Sequence, residues 1–338
     1  MRLKLLVATA DSDYGGHLSG VVSDRYADLI DVNVCSTPER LTELLAEMKF
    51  DVALTDVPMI KDLDIQNIRL PLLLWADEEA GDEQTADLGK VSKYQRVSSI
   101  VADVLERFAK VTADISGPAL KRAHITAVWS PAGGVGTTTV ALAYAAKLAS
   151  GGRQALYLNL EYFSSVPAYF ARTGKSISSI FEMLEAGEGN VKMLIRGIRC
   201  QDNGVAYFNC PENFDDMNIL SPENIAALLD ACCETADELI VDMTCVCGER
   251  ERQVFETADK VFIVTDPSDA AQAKLSQFVS QHNDFARIRA KTALVENKGA
   301  TICRPPVDTV IPLPLVQSVN ASEIYKTLSG YDFLENRL

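Results

Sequence analysis

The chain of 338 residues reads as an α/β protein made of two doubly wound domains, and three observations carry that reading. Short apolar runs alternate with helix-period segments twice along the chain, the pattern of parallel strands joined by crossover helices. A break rich in Ser, Gly and Pro with a basic pair, "DISGPALKR" at 114–122, separates the two alternations. The length is also more than one core ordinarily holds. The expected organisation is a first domain over 1–114, a linker over 115–122 and a second domain over 123–338.

In the first domain "LKLLVA" (3–8), "DVALTDV" (51–57) and "LPLLLWA" (70–76) are strand candidates, while "ERLTELLAEM" (39–48) and "SSIVADVLERFAKV" (98–111) carry helical periodicity. In the second, "HITAVWS" (124–130), "ALYLNL" (155–160), "GVAYFN" (204–209), "ELIVDM" (238–243), "KVFIVTD" (260–266), "TALVEN" (292–297) and "DTVIP" (308–312) read as strands, mostly with helical segments between them. No fixed-period repeat and no low-complexity tract interrupts the pattern.

Composition narrows the function classes. The net charge of −15 opposes non-specific binding to nucleic acid or to anionic lipid, which needs clustered Lys and Arg. No run reaches the ~18 apolar residues of a membrane span, and the first apolar stretch is too short for a signal peptide. Eight cysteines without a paired C-x-x-C set fit a reducing compartment, so the expected location is cytoplasmic.

The stretch "SPAGGVGTTTVALAYAAKLA" (130–149) lies between a strand and a helix. Gly133, Gly134 and Gly136 allow close backbone approach to an anion, and the N–H groups of the helix start point at it. Thr138 stands where a phosphate-loop hydroxyl would ligate Mg²⁺. Pro131 occupies the place of the first glycine and Thr137 that of the lysine, so on its own the stretch reads as a phosphate loop or as a plain glycine turn. Further along, Asn159 and Glu161 end one strand, and Asp242 ends another in the form of a Walker B carboxylate.

Together and in this order, these segments resemble the deviant Walker A ATPases related to MinD and ParA, over about residues 122–330. The loop of that family reads K-G-G-V-G-K-T-T, against A-G-G-V-G-T-T-T here, from Ala132 to Thr139. The resemblance implies a P-loop NTPase domain binding ATP and Mg²⁺ through Gly133, Gly134, Val135, Gly136, Thr137, Thr138 and Thr139. Thr138 and Asp242 would serve the metal, the latter through its water shell. Asn159 and Glu161 match the family's D-x-D, with Glu161 expected to orient the attacking water. Asn297 matches the residue that reads adenine, and Pro312 falls in the loop over the base. A homodimer packed through the nucleotide face is also implied.

Within that superfamily the chain looks most like the Tad-pilus proteins TadZ and CpaE, which carry an atypical receiver ahead of the ATPase. That resemblance makes the first domain receiver-like, with a flavodoxin-like fold. Asp56 then falls at the phospho-acceptor position and Lys93 at the receiver lysine, but the acidic pair falls on Thr9 and Ala10 and the hydroxyl position on Ala76. Too few carboxylates remain to hold the Mg²⁺ of phosphoryl transfer, so Asp56 is not expected to accept phosphate. Asp56 and Lys93 also read as an ordinary strand-end ion pair. The partners implied are the secretion ATPase of a Tad pilus or its inner-membrane platform protein, with recruitment to the cell pole or the inner face of the membrane and no direct insertion.

Two lysines of the family's loop are Ala132 and Thr137 here. A unit charge ~4 Å from a phosphate is worth on the order of 4 kcal/mol at an effective dielectric of ~20. Their loss therefore implies weak or negligible hydrolysis with binding retained. Arg172, Lys175, Arg250 and Arg252 are the substitute cations within reach in sequence, each also readable as a solvated charge. A ParA-like partition ATPase would need a basic surface, yet residues 116–338 carry 20 basic and 26 acidic side chains. Lys192, Arg196 and Arg199 do share one helix face. Cys247 with Gly248 faintly resembles the "CGG" of a cluster-bridging reductase, and "CVC" (245–247) reads also as thiols at a sheet edge. A scaffold with a vestigial nucleotide site is the non-enzymatic alternative.

Overall fold

The computed structural model describes residues 2–27, 29–60, 67–76, 88–112, 122–170, 175–187, 189–280 and 283–333. The chain divides into two compact units, Met1–Thr112 and Ala113–Leu338. The linker expected at 115–122 lies outside the described residues except for Arg122, whose guanidinium donates to the Thr257 carbonyl within the second unit.

In the first unit β1 (Leu3–Ala8), α1 (Ser12–Arg25), β2 (Ile30–Cys35), α2 (Pro38–Glu47), β3 (Phe50–Thr55), α3 (Val57–Ile60), β4 (Ile68–Trp75), β5 (Gly89–Ser92) and α4 (Val97–Lys110) follow in order. Among the described residues five strands, all parallel, run in the order β2-β1-β3-β4-β5, which is the flavodoxin-like winding with its switch point between β1 and β3. Helices start where side chains can cap them: Asp11 accepts from the Tyr14 N–H ahead of α1, and Thr37 accepts from the Arg40 N–H with Pro38 in the first turn of α2. Seven side chains of α4, from Ile100 to Ala109, are buried, as its strong apolar periodicity requires. Strand β2 is at the sheet edge and alternates too weakly to announce itself, with Asp31 exposed and Asn33 half-buried.

The second unit contains β6 (His124–Trp129), α5 (Thr137–Ser150), β7 (Ala155–Leu160), α6 (Ser178–Ala186), α7 (Val191–Ile198), β8 (Cys200–Asp202), β9 (Val205–Tyr207), α8 (Pro222–Cys233), β10 (Glu238–Met243), α9 (Glu249–Thr257), β11 (Lys260–Thr265), α10 (Asp269–Ser280), α11 (Asn283–Ile288), β12 (Thr292–Glu296), β13 (Val310–Pro312) and α12 (Ala321–Leu328). Its eight strands among the described residues run β13-β12-β11-β6-β10-β7-β9-β8, all pairs parallel except β8 with β9. Strands β7, β10, β11 and β12 are buried along their whole length, the mark of a parallel sheet covered on both faces. Helix α5 is likewise almost wholly enclosed, with Val140–Ala145 forming the middle of the core beside Tyr157, Phe262 and Tyr325. Such a helix is hydrophobic nearly all round because neighbours cover every side.

Candidate functional site

Strand order and register assemble one site at the carboxyl ends of β6, β7, β10 and β12, where a doubly wound sheet opens its crevice. The loop Pro131–Gly136 leaves β6 and delivers the chain into α5. Gly134 and Gly136 have φ of +78° and +94°, a left-handed geometry that L side chains rarely adopt. A Cβ on Gly133 or Gly134 would meet nothing within 4 Å, so the outer lip of the loop is open. At Gly136 a Cβ would come within 2.5 Å of Asn297 Nδ2, so the loop can pass beneath Asn297 only as glycine. Inside the loop the Ala132 N–H donates to Ser130 Oγ at 3.1 Å. Helix α5 begins at Thr137 with no side-chain cap and no acidic residue in its first turn, which leaves its positive end available to an anion.

Register places Asp242 directly across from Asn159 and from Val128. Asp242 is fully buried, and one carboxylate oxygen, Oδ2, accepts from Tyr157 OH at 2.7 Å and from Asn159 Nδ2 at 3.1 Å. Among the described residues the other, Oδ1, has no hydrogen-bond partner. Burial, reinforced by the nearby Glu161 charge, pushes the Asp242 carboxyl up to about 7, with Tyr157, Thr138 and Asn159 partly offsetting it. Burial beside that carboxylate also holds the Tyr157 phenol well above its ordinary value, so it stays a donor. Glu161 Oε2 accepts from Asn159 Nδ2 at 3.0 Å and Ser165 Oγ at 2.8 Å, while its Oε1 lies 3.5 Å from the Thr138 hydroxyl.

These groups fit a magnesium nucleotide. The donors that gather are hard oxygens, namely the orphaned Asp242 Oδ1, the Thr138 hydroxyl and the Glu161 carboxylate. Mg²⁺ typically takes only one or two protein oxygens and completes its shell with water and phosphate. An unpaired buried carboxylate oxygen is costly, and a cation or its water shell is the kind of partner that removes the cost. Backbone N–H groups and a helix start supply the anion side. Among the described residues no three His, Cys, Asp or Glu side chains group as a protein-only metal site.

Asn297 and Pro312 take the following places at the strand ends. Asn297 is buried, and its amide donates to the Val135 carbonyl at 2.8 Å, so the side chain grips the phosphate loop. Pro312 ends β13 opposite Glu296 and is exposed, a strand terminus where a covering loop is implied. Thr137 and Thr139 are both half-buried, the latter bonded to Tyr169 OH at 2.8 Å.

Of the substitute cations named from sequence, Arg250 and Arg252 are occupied elsewhere. The Arg250 guanidinium bonds Tyr162 OH and the Met217 carbonyl, and Arg252 Nε donates to Asp284 at 3.1 Å. Lys175 is half-buried ahead of α6, and Arg172 lies outside the described residues. A lysine without a motif of its own, Lys298, places Nζ 2.8 Å from the Gly134 carbonyl and 2.9 Å from Asp266 Oδ2. Its only sequence signal is adjacency to Asn297.

The basic face of α7 is spent on the fold. Lys192 pairs with Glu234 at 3.0 Å, Arg196 donates to the Glu234 carbonyl and Arg199 to the Thr235 carbonyl, so all three close the carboxyl end of α8. That is a helix-capping cluster in place of a solvated face. Cys245 is exposed, and Cys247 lies 3.9 Å from Asp284; burial, with the Asp284 charge added, pushes its thiol up.

In the first unit Asp56 is buried at the end of β3. Its Oδ2 accepts from Thr9 Oγ1 at 2.7 Å and the Ala10 N–H at 2.8 Å, and its Oδ1 accepts from the Met59 N–H. Lys93 forms its ion pair with Asp11, at 3.7 Å, and its Nζ stands over the Tyr14 and Tyr94 rings. The strand-end pair read between Asp56 and Lys93 is thus replaced by a Lys93–Asp11 pair, because Thr9 and the backbone already fill Asp56.

No protein-family model matches the chain, and no curated protein matches it. Solved structures do. The ParA family ATPase of Chlorobium tepidum TLS superposes with a TM-score of 0.51 at 17% identity, covering 61% of this chain and 92% of that one. A putative plasmid partition protein of Borrelia burgdorferi B31, bound to AMPPNP, aligns with a TM-score of 0.47 at 14% identity over 62% of this chain and 97% of its own. The MinD cell division protein of Aquifex aeolicus aligns with a TM-score of 0.46 at 15% identity, over 62% and 98% respectively. Among the described residues no helix is long and apolar enough to cross a membrane. The likeness to the Chlorobium protein shows the fold alone: the chain contains a parallel-sheet α/β fold of the kind seen in the MinD/ParA P-loop ATPases.

Proposed function

We propose that the second unit binds Mg·ATP at the loop Ala132–Thr139 and turns it over slowly or not at all. The observation that carries this is the unpartnered, buried Asp242 Oδ1 beside Thr138, at the mouth of a glycine loop that opens a helix. When bound, Mg²⁺ would neutralise phosphate charge and complete its shell with Asp242, directly or through water, and with Thr138. Tyr157 and Asn159 hold one oxygen of Asp242 so that the other is presented to the site. Glu161, tied to Ser165 and Asn159, is placed to orient a water. Neutral Ala132 and Thr137 remove the two charges that phosphoryl transfer depends on most, so binding outlasts catalysis.

In the same reading the protein pairs with a second copy through this face, and the receiver-like unit docks the complex onto a Tad-type pilus machine, through its secretion ATPase or platform protein, at the pole or the inner face of the membrane. Nucleic acid is not expected as a partner: the net charge is −15, and the basic face of α7 is consumed in capping α8. Titration calorimetry with Mg·ATP followed by a phosphate-release assay tests the central claim. Saturable heat at millimolar ATP or below with turnover well under about 1 s⁻¹, the low end of ordinary enzymes, is expected. No heat at millimolar ATP overturns the binding claim, and turnover near 1 s⁻¹ overturns the inactivity. A fluorescent fusion that loses its focus when the pilus gene cluster is deleted supports the docking role; a diffuse signal in both strains rejects it.

A further inference from the structure

Resting on the nucleotide reading above, we infer that Lys298 is the cation of the phosphate loop and sets the loop's preference for the more highly charged nucleotide. The family's loop carries its positive charge on its own side chains; here residues 132–139 are all neutral. The structure brings in a charge from another strand end. Immediately after β12, Asn297 and Lys298 reach back to consecutive loop carbonyls, Asn297 Nδ2 to Val135 and Lys298 Nζ to Gly134, both at 2.8 Å.

The turn that makes this double grip is tightly specified. Lys298 has φ of +56°, a left-handed conformation uncommon for a side-chain-bearing residue. Backbone bonds hold it there: Asn297 N–H to Thr265, Gly299 N–H to Leu313 and Ala300 N–H to Asn297. A non-glycine residue kept at positive φ by surrounding bonds, with its side chain on the loop, is strain placed where a position is needed.

Two physical consequences follow. In a trans peptide the N–H points opposite to the C=O, so gripping the Gly134 and Val135 carbonyls from the β12 side turns the Val135 and Gly136 N–H groups away from that side. The ammonium also adds a unit charge to an otherwise neutral loop. Asp266 tempers it: its Oδ2 takes Lys298 Nζ, while its Oδ1 accepts from the Ser268 N–H and hydroxyl at the start of α10. Asp266→Asn would keep the Oδ1 bonds, remove the negative charge and replace the Oδ2 acceptor with an NH2 that cannot accept from Lys298 Nζ.

The charges therefore make opposite predictions, which a purely structural clamp does not. Full-length wild type, Lys298→Met, Lys298→Arg and Asp266→Asn are titrated with Mg·ATP and Mg·ADP at low and high salt, with melting curves as fold controls. Lys298→Met should weaken Mg·ATP at least tenfold and Mg·ADP by a smaller factor, and flatten the salt dependence. Lys298→Arg should retain most of the affinity, and Asp266→Asn should tighten Mg·ATP several-fold. Equal losses for both nucleotides in Lys298→Met, unchanged ATP affinity in that variant, or an Asp266→Asn that does not tighten, overturns the inference while leaving the nucleotide site standing. Wild type that binds neither nucleotide overturns the nucleotide reading and this inference with it.

Discussion

Each unit ends a central strand with a buried aspartate beside the chain's first strand in that unit, and the two carboxylates are treated oppositely. Asp56 has both oxygens filled by protein donors, Thr9, Ala10 and Met59. Asp242 has one oxygen doubly filled by Tyr157 and Asn159 and the other without a partner among the described residues. The first aspartate is a structural pin that closes the loop after β1 onto β3. The second bears a desolvation cost that only a ligand or a proton relieves. Two sheets of the same winding principle therefore reach opposite ends: one switch point has sealed itself and the other has stayed open.

The largest break in that contrast comes from neutralising the open carboxylate. With Asp242 raised from 3.8 to about 7, the folded unit holds an extra proton between about pH 4 and pH 7. Its stability is therefore at full value below that window and falls as pH rises through it. Each tenfold change in proton affinity is worth about 1.36 kcal/mol, so Asp242→Asn should recover as much as about 4 kcal/mol at pH 8 and almost nothing near pH 4. The two tryptophans fall one in each unit, at Trp75 and Trp129, so urea unfolding followed by fluorescence in a Trp75→Phe background reads the second unit alone. Mg²⁺ should stabilise wild type at pH 8 and leave Asp242→Asn unmoved; equal stabilisation of both would break the contrast.

Gly136→Ala tests the loop itself. The new Cβ meets Asn297 Nδ2 at 2.5 Å while the backbone stays at φ +94°. Losing the Asn297–Val135 bond and straining the backbone should together cost about 3 kcal/mol in the second unit. The same fluorescence assay measures it, and a change under ~0.5 kcal/mol, the ordinary range for surface substitutions, would show that the loop is free to move.

On the sealed side, Asp56→Ala strands the Thr9 hydroxyl and the Ala10 N–H, while the Met59 N–H keeps its bond to the backbone carbonyl of position 56, and should cost about 2 kcal/mol of first-unit stability. Trp75 fluorescence in a Trp129→Phe background reports it. Wild type incubated with acetyl phosphate should show no added mass at Asp56; stoichiometric modification would mean the seal opens.

The smallest effect belongs to the rim of that site, where Tyr14 OH donates to the Lys93 carbonyl at 2.6 Å. Tyr14→Phe should cost about 1 kcal/mol, the net worth of one hydrogen bond. Burial raises the Tyr14 phenol to about 12, so the bond should persist across the neutral range and into moderate alkali. A loss of stability near pH 9 in wild type, absent from Tyr14→Phe, would contradict that.

Much of this architecture is legible in local pattern. Periodicity marks the long buried strands β6, β10, β11 and β12 and the helices around them, because burial on both faces demands continuous apolar runs. The glycines, Thr138 and Asp242 are visible as punctuation at strand ends. Edge strands such as β2 and the three-residue β8 escape notice, since a strand that is half-solvated or very short has almost no pattern to read.

What the sequence by itself determined is which residues stand at the ends of strands, since strand ends follow from where apolar runs stop. Only the tertiary structure decided what those residues touch. Asn297 and Asp242 look alike as polar residues closing apolar strands, yet Asn297 is bonded to the loop while Asp242 keeps an oxygen unpaired. Lys298 is an ordinary lysine in the chain and lies on a loop 164 residues away in the fold. Lys192, Arg196 and Arg199 share a helix face, but the carboxyl end of α8 fills it. The reason is physical: burial and secondary structure are set by near neighbours and periodicity, whereas the partner of a charge or hydrogen-bonding group is set by strand order and register, which bring distant segments within about 3 Å.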